Sequence, residues 1–436
     1  MSEALEQSDL REGYKTVKLG PREIPIPDEW DVVPFEEAIE LNPKYEKPDN
    51  GPFDYLPMDA VDEDKQTIEY WTQREKDDCT TTWFKNGDTV YAKITPCTEN
   101  GKIAFIEDLD TEVGSGSTEF LVFHPRDGVT DERFVYYLSN LPEFRSVTIS
   151  LMEGSTGRQR VPSDVFKGGI QVPLPPLPEQ RRIADILSTV DEQIQQTDEI
   201  IEETGELKRG LMQDLLTTGT GDVVTTKKER IGPMPIEIAE SWDMEYFDDV
   251  IELNPNDDVP DNEAFPYLPM DSVNEETRTI DYWEQRDAED CTRVRFRKGD
   301  TVYAKITPCT ENGKIAFIEG PDGLAFGSTE FLVFRARENQ MLPKYVYYLS
   351  NLPQFRAVTI SLMEGSTGRQ RVPSDTFDQN IRVPVPPVEE QRTIVETLDR
   401  VQQRSMQERE TKQFFKELKR GLMQDLLTGK VRVNTD

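Results

Sequence analysis

The chain holds one histidine, His124, and four cysteines, Cys79, Cys97, Cys291 and Cys309, among 436 residues. No CxxC pair occurs, so a zinc site built from the usual nitrogen and sulfur ligands is not expected. The cysteines read as small, partly buried side chains in a reducing cell rather than as disulfides. No run of 18 apolar residues is present, which argues against a membrane span. The N-terminus, MSEALEQSDLREGYK, lacks the apolar core of a secretory signal, so a cytoplasmic location is expected. No GxxxxGK[ST] loop is present, which places any ATP chemistry elsewhere. Basic residues are scarce, with 50 Lys and Arg against 84 Asp and Glu and a net charge of −34. A simple nucleic-acid binder is usually basic. Here the acids are spread along the chain rather than gathered in a tail. That pattern fits a halophilic, salt-rich cytoplasm, where charge screening is short-ranged. The local placement of Lys and Arg is therefore more informative than their total.

What is present is a duplication. GDTVYAKITPCTENGKIAFIE occurs at 87–107 and again, letter for letter, at 299–319. VTISLMEGSTGRQRVPSD is identical at 147–164 and 358–375, and KRGLMQDLLT recurs at 208 and 419. The offset is 212 as far as Glu107/Glu319 and 211 from Gly116/Gly327, so one residue is lost between them, as a surface loop tolerates. Each half begins with strand-like runs (TVYAKI, KIAFIE, TEFLVF) and continues with a helix-like FVYYLSNLPEFRSVTISLM or its counterpart. A proline gate follows, VPLPPLPEQ or VPVPPVEEQ, and then a long helical pattern.

In the first long helix Ile183, Leu187, Val190, Ile194 and Ile201 form a heptad seam. In the second the seam is Ile394, Leu398, Val401, Phe415, Leu418, Leu422 and Leu426, with Gly219 and Gly429 as stops. The expected architecture is an α/β (mixed α+β) fold with an internal pseudo-twofold repeat. Two similar globular domains are joined by a pair of long antiparallel coiled-coil helices, each of roughly 40 residues and about 60 Å. The boundaries read as an N-terminal arm at 1–28, a first domain at 29–174 and a central helix at 175–219. A linker at 220–240, a second domain at 241–385, a distal helix at 386–429 and a tail at 430–436 complete the chain.

A twofold pair of domains on a rigid spacer suits duplex DNA, whose half-sites lie on one face about 34 Å or more apart. Candidate DNA contacts recur in both halves. They are Lys93, Thr95, Asn100, Lys102, Arg158, Gln159 and Arg160, repeated as Lys305, Thr307, Asn312, Lys314, Arg369, Gln370 and Arg371. The Gly-Ser-Thr-Gly turn before the arginines offers N–H groups and hydroxyls to a phosphate, and the arginines suit phosphate or bidentate base contacts. Taken singly, each is more often an ordinary loop cation or a partner for one of the many acids; the case rests on the set.

PLPPLPEQRRIADIL with KRGLMQDLLTG, and PVPPVEEQRTIVETL with KRGLMQDLLTGKVRV, resemble the helical regions of type I restriction–modification specificity subunits. IPDEWDVVPFEEAIELNP and GDTVYAKI…GKIAFI resemble parts of that family's target recognition domains, and the likeness covers nearly the whole chain. It implies a non-catalytic subunit that reads a bipartite double-stranded DNA target. It also implies docking of two modification subunits, which methylate adenine, and of restriction/translocase subunits. S-adenosylmethionine, ATP and Mg are then expected on the partners, with no cofactor in this chain. In this family the two readers usually differ. Here they are near copies, which predicts an interrupted palindrome. One segment departs: CTTTWFKN (79–86) faces CTRVRFRK (291–298), so Thr81/Arg293, Trp83/Arg295 and Lys85/Arg297 differ at alternate positions, expected on one face of a strand.

Rival readings are weaker. LNPKY at 41–45 suggests a methyltransferase motif, but its copy reads LNPND. Asp49 with Glu63, Asp64 and Lys65 mimics a nuclease spacing that the second half does not keep. A protein-interaction scaffold explains the acidity and the helices, but not the duplicated Lys/Thr/Arg loops.

Overall fold

The computed structural model describes residues 12–19, 22–49, 51–155, 157–221, 225–366, 368–378 and 380–435. Part of the expected N-terminal arm lies outside these residues. The chain divides into two compact units, one of residues 1–197 with 411–436 and the other of residues 198–410. Each unit therefore contains one globular domain, the first half of the long helix that follows it, and the second half of the other long helix.

In the first unit a four-stranded antiparallel sheet runs in the order Ile39–Leu41, Phe120–Pro125, Thr89–Ala92, Ile103–Phe105. Side chains alternate across it. Tyr91, Ile103, Leu121 and Phe123 pack on one face with residues of the helices Glu132–Ser139 and Pro142–Ser150. Val90, Ala92, Ala104, Phe120 and Val122 pack on the other with Leu56, Val61 and Phe84. Burial on both faces is why TVYAKI and TEFLVF read as nearly continuous apolar runs. A second sheet runs in the order Thr72–Arg74, Phe53–Leu56, Gly114–Gly116, Thr82–Phe84, with a parallel pair at its centre. Gly116 is required there, since a Cβ would lie 2.8 Å from the Phe84 ring. The expected single helix is two: Pro142 opens a new helix after the break at Asn140–Leu141, and Asp131 caps the first through Arg133 N and Phe134 N.

Strand Asp31–Pro34 pairs antiparallel with Gln171–Leu174, which brings the two ends of the domain together where the long helix Leu177–Leu215 begins. Gln180 fastens that helix. Its Nε2 donates to the carbonyls of Val129 (2.9 Å) and Pro175 (2.8 Å), and its Oε1 accepts from Asp131 N. The second unit repeats this with Asp243–Tyr246 on Arg382–Val385 and with Gln391 at the start of Val388–Leu427. The segments expected as arm and linker each contain a two-stranded hairpin, Tyr14–Leu19 with Arg22–Pro27 and Thr226–Ile231 with Met234–Ala239.

The long helices run antiparallel within each unit. In the first, Ile183 and Leu187 pack in the same cluster as Met423, Leu426 and Leu427, and Lys419 Nζ reaches Asp191 at 2.6 Å. In the second, Met212 and Leu216 share a cluster with Ile394 and Leu398, and Lys208 donates to Gln402. The distal seam departs from the expected one: Leu418 is 37 % exposed, while Met423 and Leu427 are buried. Gly429, at φ +71°, closes the first unit, where a Cβ would collide with Pro27 and crowd Trp30. Gly219, at φ +79°, stands in the same way against Trp242. The four cysteines are free and half-buried.

Candidate nucleic-acid interface

Three loops at the ends of the central strands are laced together in each domain. Where Thr89–Ala92 ends, Lys93 N donates to the Glu119 carbonyl (2.9 Å) and the Lys93 carbonyl accepts from Val161 N (2.8 Å). Thr95 N donates to the Gln159 carbonyl at 3.0 Å, and Glu153 and Arg160 bridge across the neighbouring turn. In the second domain Lys305, Glu330, Val372, Thr307 and Gln370 repeat the pattern at 2.9, 2.8 and 3.0 Å. Identical sequence has folded twice into the same surface.

The candidate side chains divide by what they touch. Asn100 Nδ2 donates to Glu63 and Lys102 Nζ to the Met58 carbonyl; Asn312 and Lys314 do the same to Glu275 and Met270. These four hold the turn onto the preceding segment, which is a structural role. Arg160 grips Glu119 through Nε and Nη2, the latter at 2.6 Å, and Arg371 grips Glu330 likewise. These hydrogen bonds hold the Glu119 and Glu330 carboxyls below the usual carboxylate range, against the opposing effect of partial burial. The pairs tie the arginine loop to the loop before Phe120 and Phe331. Thr95 Oγ1 donates to Glu99 at 2.8 Å, whereas Thr307 Oγ1 faces the Gln370 carbonyl at 3.4 Å. Gln159 and Gln370 are half-buried, with their carbonyls engaged by the threonine N–H groups.

Arg158 and Arg369 differ from the other two arginines of the set. Both are exposed, each is anchored by its own N–H to Ser155 or Ser366 at 2.9 Å, and neither guanidinium has an ion-pair partner among the described residues. Thr156 and Thr367 of the expected phosphate-binding turn lie outside the described residues. The loops thus bring Lys93, Thr95, Arg158, Gln159 and Arg160 together, with Arg158 and Lys93 in no ion pair among the described residues.

The segment that differs between the halves does not present one face. The strands are Thr82–Phe84 and Arg295–Arg297, so Thr81 and Arg293 lie before them. Trp83 is buried with Phe53 and Val113, while Arg295 is half-buried and Arg293 and Arg297 are exposed. Residues that sequence reasoning passed over are Glu119 and Glu330, which organise the arginine loop, and Gln180 and Gln391. The glutamates' sequence signal is recurrence at equivalent positions, whereas Gln180 and Gln391 close the proline-gate phrases VPLPPLPEQ and VPVPPVEEQ. The motif-like residues of the rival enzymes have structural bonds: Asn42 Oδ1 accepts from Val122 N at 3.0 Å, and Asp49 pairs with Lys76 at 3.1 Å. Among the described residues no cluster suited to a metal ion occurs, and no helix is long and apolar enough to cross a membrane.

The family described as type I restriction modification DNA specificity domain matches twice, over residues 27–204 and 240–413. A putative type I restriction enzyme MjaX specificity subunit of Methanocaldococcus jannaschii is 24 % identical over 97 % of this chain and 98 % of its own length. The EcoAI specificity subunit of Escherichia coli is 30 % identical over 45 % of this chain and 35 % of its own. Among solved structures, the S subunit of a type I system from M. genitalium superposes with a TM-score of 0.54 at 16 % identity, covering 94 % of this chain and 98 % of that one. A chain from a study of complex assembly and conformational transition of the type I R-M system gives 0.54 at 19 % identity, covering 93 % and 99 %. The repeat, the laced loops and the paired helix signatures thus coincide with a twofold family match, and the chain belongs to the type I restriction–modification specificity subunits, with two target recognition domains.

Proposed function

We propose that this chain is the non-catalytic DNA-reading subunit of a complex whose other chains carry out methylation and cleavage. The observation that carries the reading is the loop surface built identically in both domains, each copy offering an unpaired exposed arginine, Arg158 or Arg369, on a scaffold fixed by Arg160–Glu119 or Arg371–Glu330. Arg158 and Arg369 contact DNA directly, with Lys93, Gln159, Lys305 and Gln370 beside them. Like readers take like half-sites, so the target is an interrupted inverted repeat wherever the two domains are alike.

Two modification subunits dock on the long helices. Leu207 and Leu418 occupy equivalent repeat positions and remain 56 % and 37 % exposed, an apolar contact offered once per half. S-adenosylmethionine, ATP and Mg belong to the partners, and the complex works in a salt-rich cytoplasm. At such salt, counterion release contributes little, so the isolated chain holds DNA poorly and the complex holds it well.

The test is methyl transfer from labelled S-adenosylmethionine to genomic DNA. This chain alone transfers nothing; mixed with its adenine methyltransferase it supports transfer, and Leu207→Glu with Leu418→Glu abolishes that support and co-purification. Transfer by the chain alone would contradict the reading. So would full transfer by the methyltransferase without it.

A further inference from the structure

One difference between the two recognition domains is an exchange of core residues. In the first, Ser115 pairs across the sheet with Trp83, and Trp83 fills the core edge-on to Phe53 at 5.3 Å. In the second, the pair at the same register is Phe326 and Arg295, and Phe326 now fills the core edge-on to Phe265 at 5.0 Å. The aromatic ring has moved to the neighbouring strand, which keeps the small cluster filled. Position 295 is thereby released from packing, and an arginine stands there.

That arginine lines a cleft of about 210 Å³ together with Asn254, Pro255, Arg293, Lys305 and Phe331. Its Nε is buried with no acceptor among the described residues. Arg293, exposed, replaces Thr81 and has no ion-pair partner among the described residues. The nearby carboxylates make their short bonds to other arginines: Asp257 is held by Arg335 at 2.8 and 2.6 Å and Glu330 by Arg371. Arg295 and Lys305 act on these two acids through charge without an ion pair of their own among the described residues. Three cations, Arg293, Arg295 and Lys305, thus converge on a cleft in a strongly acidic chain, none of them in an ion pair among the described residues. A guanidinium fork with an unmet N–H calls for paired acceptor atoms.

We infer that this cleft is a DNA-acceptor site present in the second recognition domain alone. It takes an acceptor pair of the duplex, either the O6/N7 edge of a guanine or the oxygens of a phosphate. The inference rests on the chain's role as a DNA reader. The second half-site then receives a contact that the first does not.

The test uses the full complex with its methyltransferase, in cells and purified. Arg293→Thr installs the residue of the first domain on the surface. Arg295→Trp with Phe326→Ser restores the first domain's core pair. Adenine methylation is mapped genome-wide, and DNA retention is measured across a salt series, alongside thermal unfolding. If the cleft reads a base, both variants relax the motif at one position of one half-site and leave the other half unchanged. If it holds a phosphate, the motif is kept, retention falls, and the salt slope drops by about one unit. Either result supports the site. Unchanged motif and unchanged salt slope in Arg293→Thr, whose surface position leaves the fold intact, would overturn it. A wild-type complex that methylates no bipartite motif would instead overturn the DNA-reading role itself, and the cleft's role with it.

Discussion

At the residue scale the second domain pairs less well than the first in one place. In the first, Gln66 and Asn140 exchange hydrogen bonds, Gln66 Nε2 donating to Asn140 Oδ1 at 2.8 Å and Asn140 Nδ2 to Gln66 Oε1. The equivalent residues are Arg278 and Asn351, and here the Arg278 Nε and the Asn351 Oδ1 are buried without partners. Burial, with Arg356 nearby, pushes the Arg278 guanidinium below its ordinary pKa. Arg278→Gln rebuilds the reciprocal pair and is expected to stabilise the chain by about 1 kcal/mol, raising Tm by roughly 2–4 °C in thermal unfolding. A fall in Tm would show that Arg278 has a use the pairing does not reveal. Arginines were the residues the sequence singled out, and their fates diverge for a physical reason. Arg160 and Arg371 lie opposite glutamates that arrive from a loop 41 residues away in the chain, a contact no local pattern announces. Arg158 and Arg369, two residues earlier, point from the same turn with no such partner.

At the scale of elements, the strands and long helices were legible because their apolar periods are strong. The hairpins at 14–27 and 226–239 were not, since their strands are half-polar and packed on one side. Of the expected distal seam, Leu422 and Leu426 pack in the first unit's core while Leu418 lies exposed. The helix pair is also unequal in charge. Lys419 has Asp191 as its partner, but the equivalent Lys208 has Gln402. Burial, and then the charges of Arg278 and Arg409, press the Lys208 pKa down to about 8. The folded state thus holds this proton less tightly than the unfolded chain, whose lysine titrates near 10.4, so stability rises as pH increases from about 8 towards that value. Gln402→Glu supplies the missing counter-charge and should flatten that rise in thermal unfolding. An identical pH dependence in both proteins would refute the argument.

The ends of the long helices carry matched packing roles. Leu216 and Leu427 are both fully buried at equivalent repeat positions, one in each unit. Replacement of either by alanine is expected to cost about 2–5 kcal/mol. Leu427→Ala should loosen amide protection in the first domain and Leu216→Ala in the second, as hydrogen exchange would resolve. Equal loosening of both domains by either variant would contradict separate closure of the two units.

At the scale of the whole molecule, the repeated KRGLMQDLLT phrase has an explanation in connectivity. The chain passes from one unit to the other inside each long helix, so the C-terminal copy completes the domain that the N-terminus began. Tyr14 Oη donates to the Gly429 carbonyl at 2.9 Å, and Arg432 Nε reaches Glu179 at 2.6 Å. Trp30 Nε1 donates to the same Glu179. Each domain is thus built on one helix beginning and one helix ending, and the two domains share the same lacing of their loops. The most direct measurement is a map of methylated adenines across the genome in cells carrying this chain with its methyltransferase, against cells lacking it. The account predicts loss of one interrupted motif modified on both strands, whose halves are inverted copies except for any base read by the Arg293–Arg295 cleft. Two unrelated half-sites, or no lost motif at all, would contradict it.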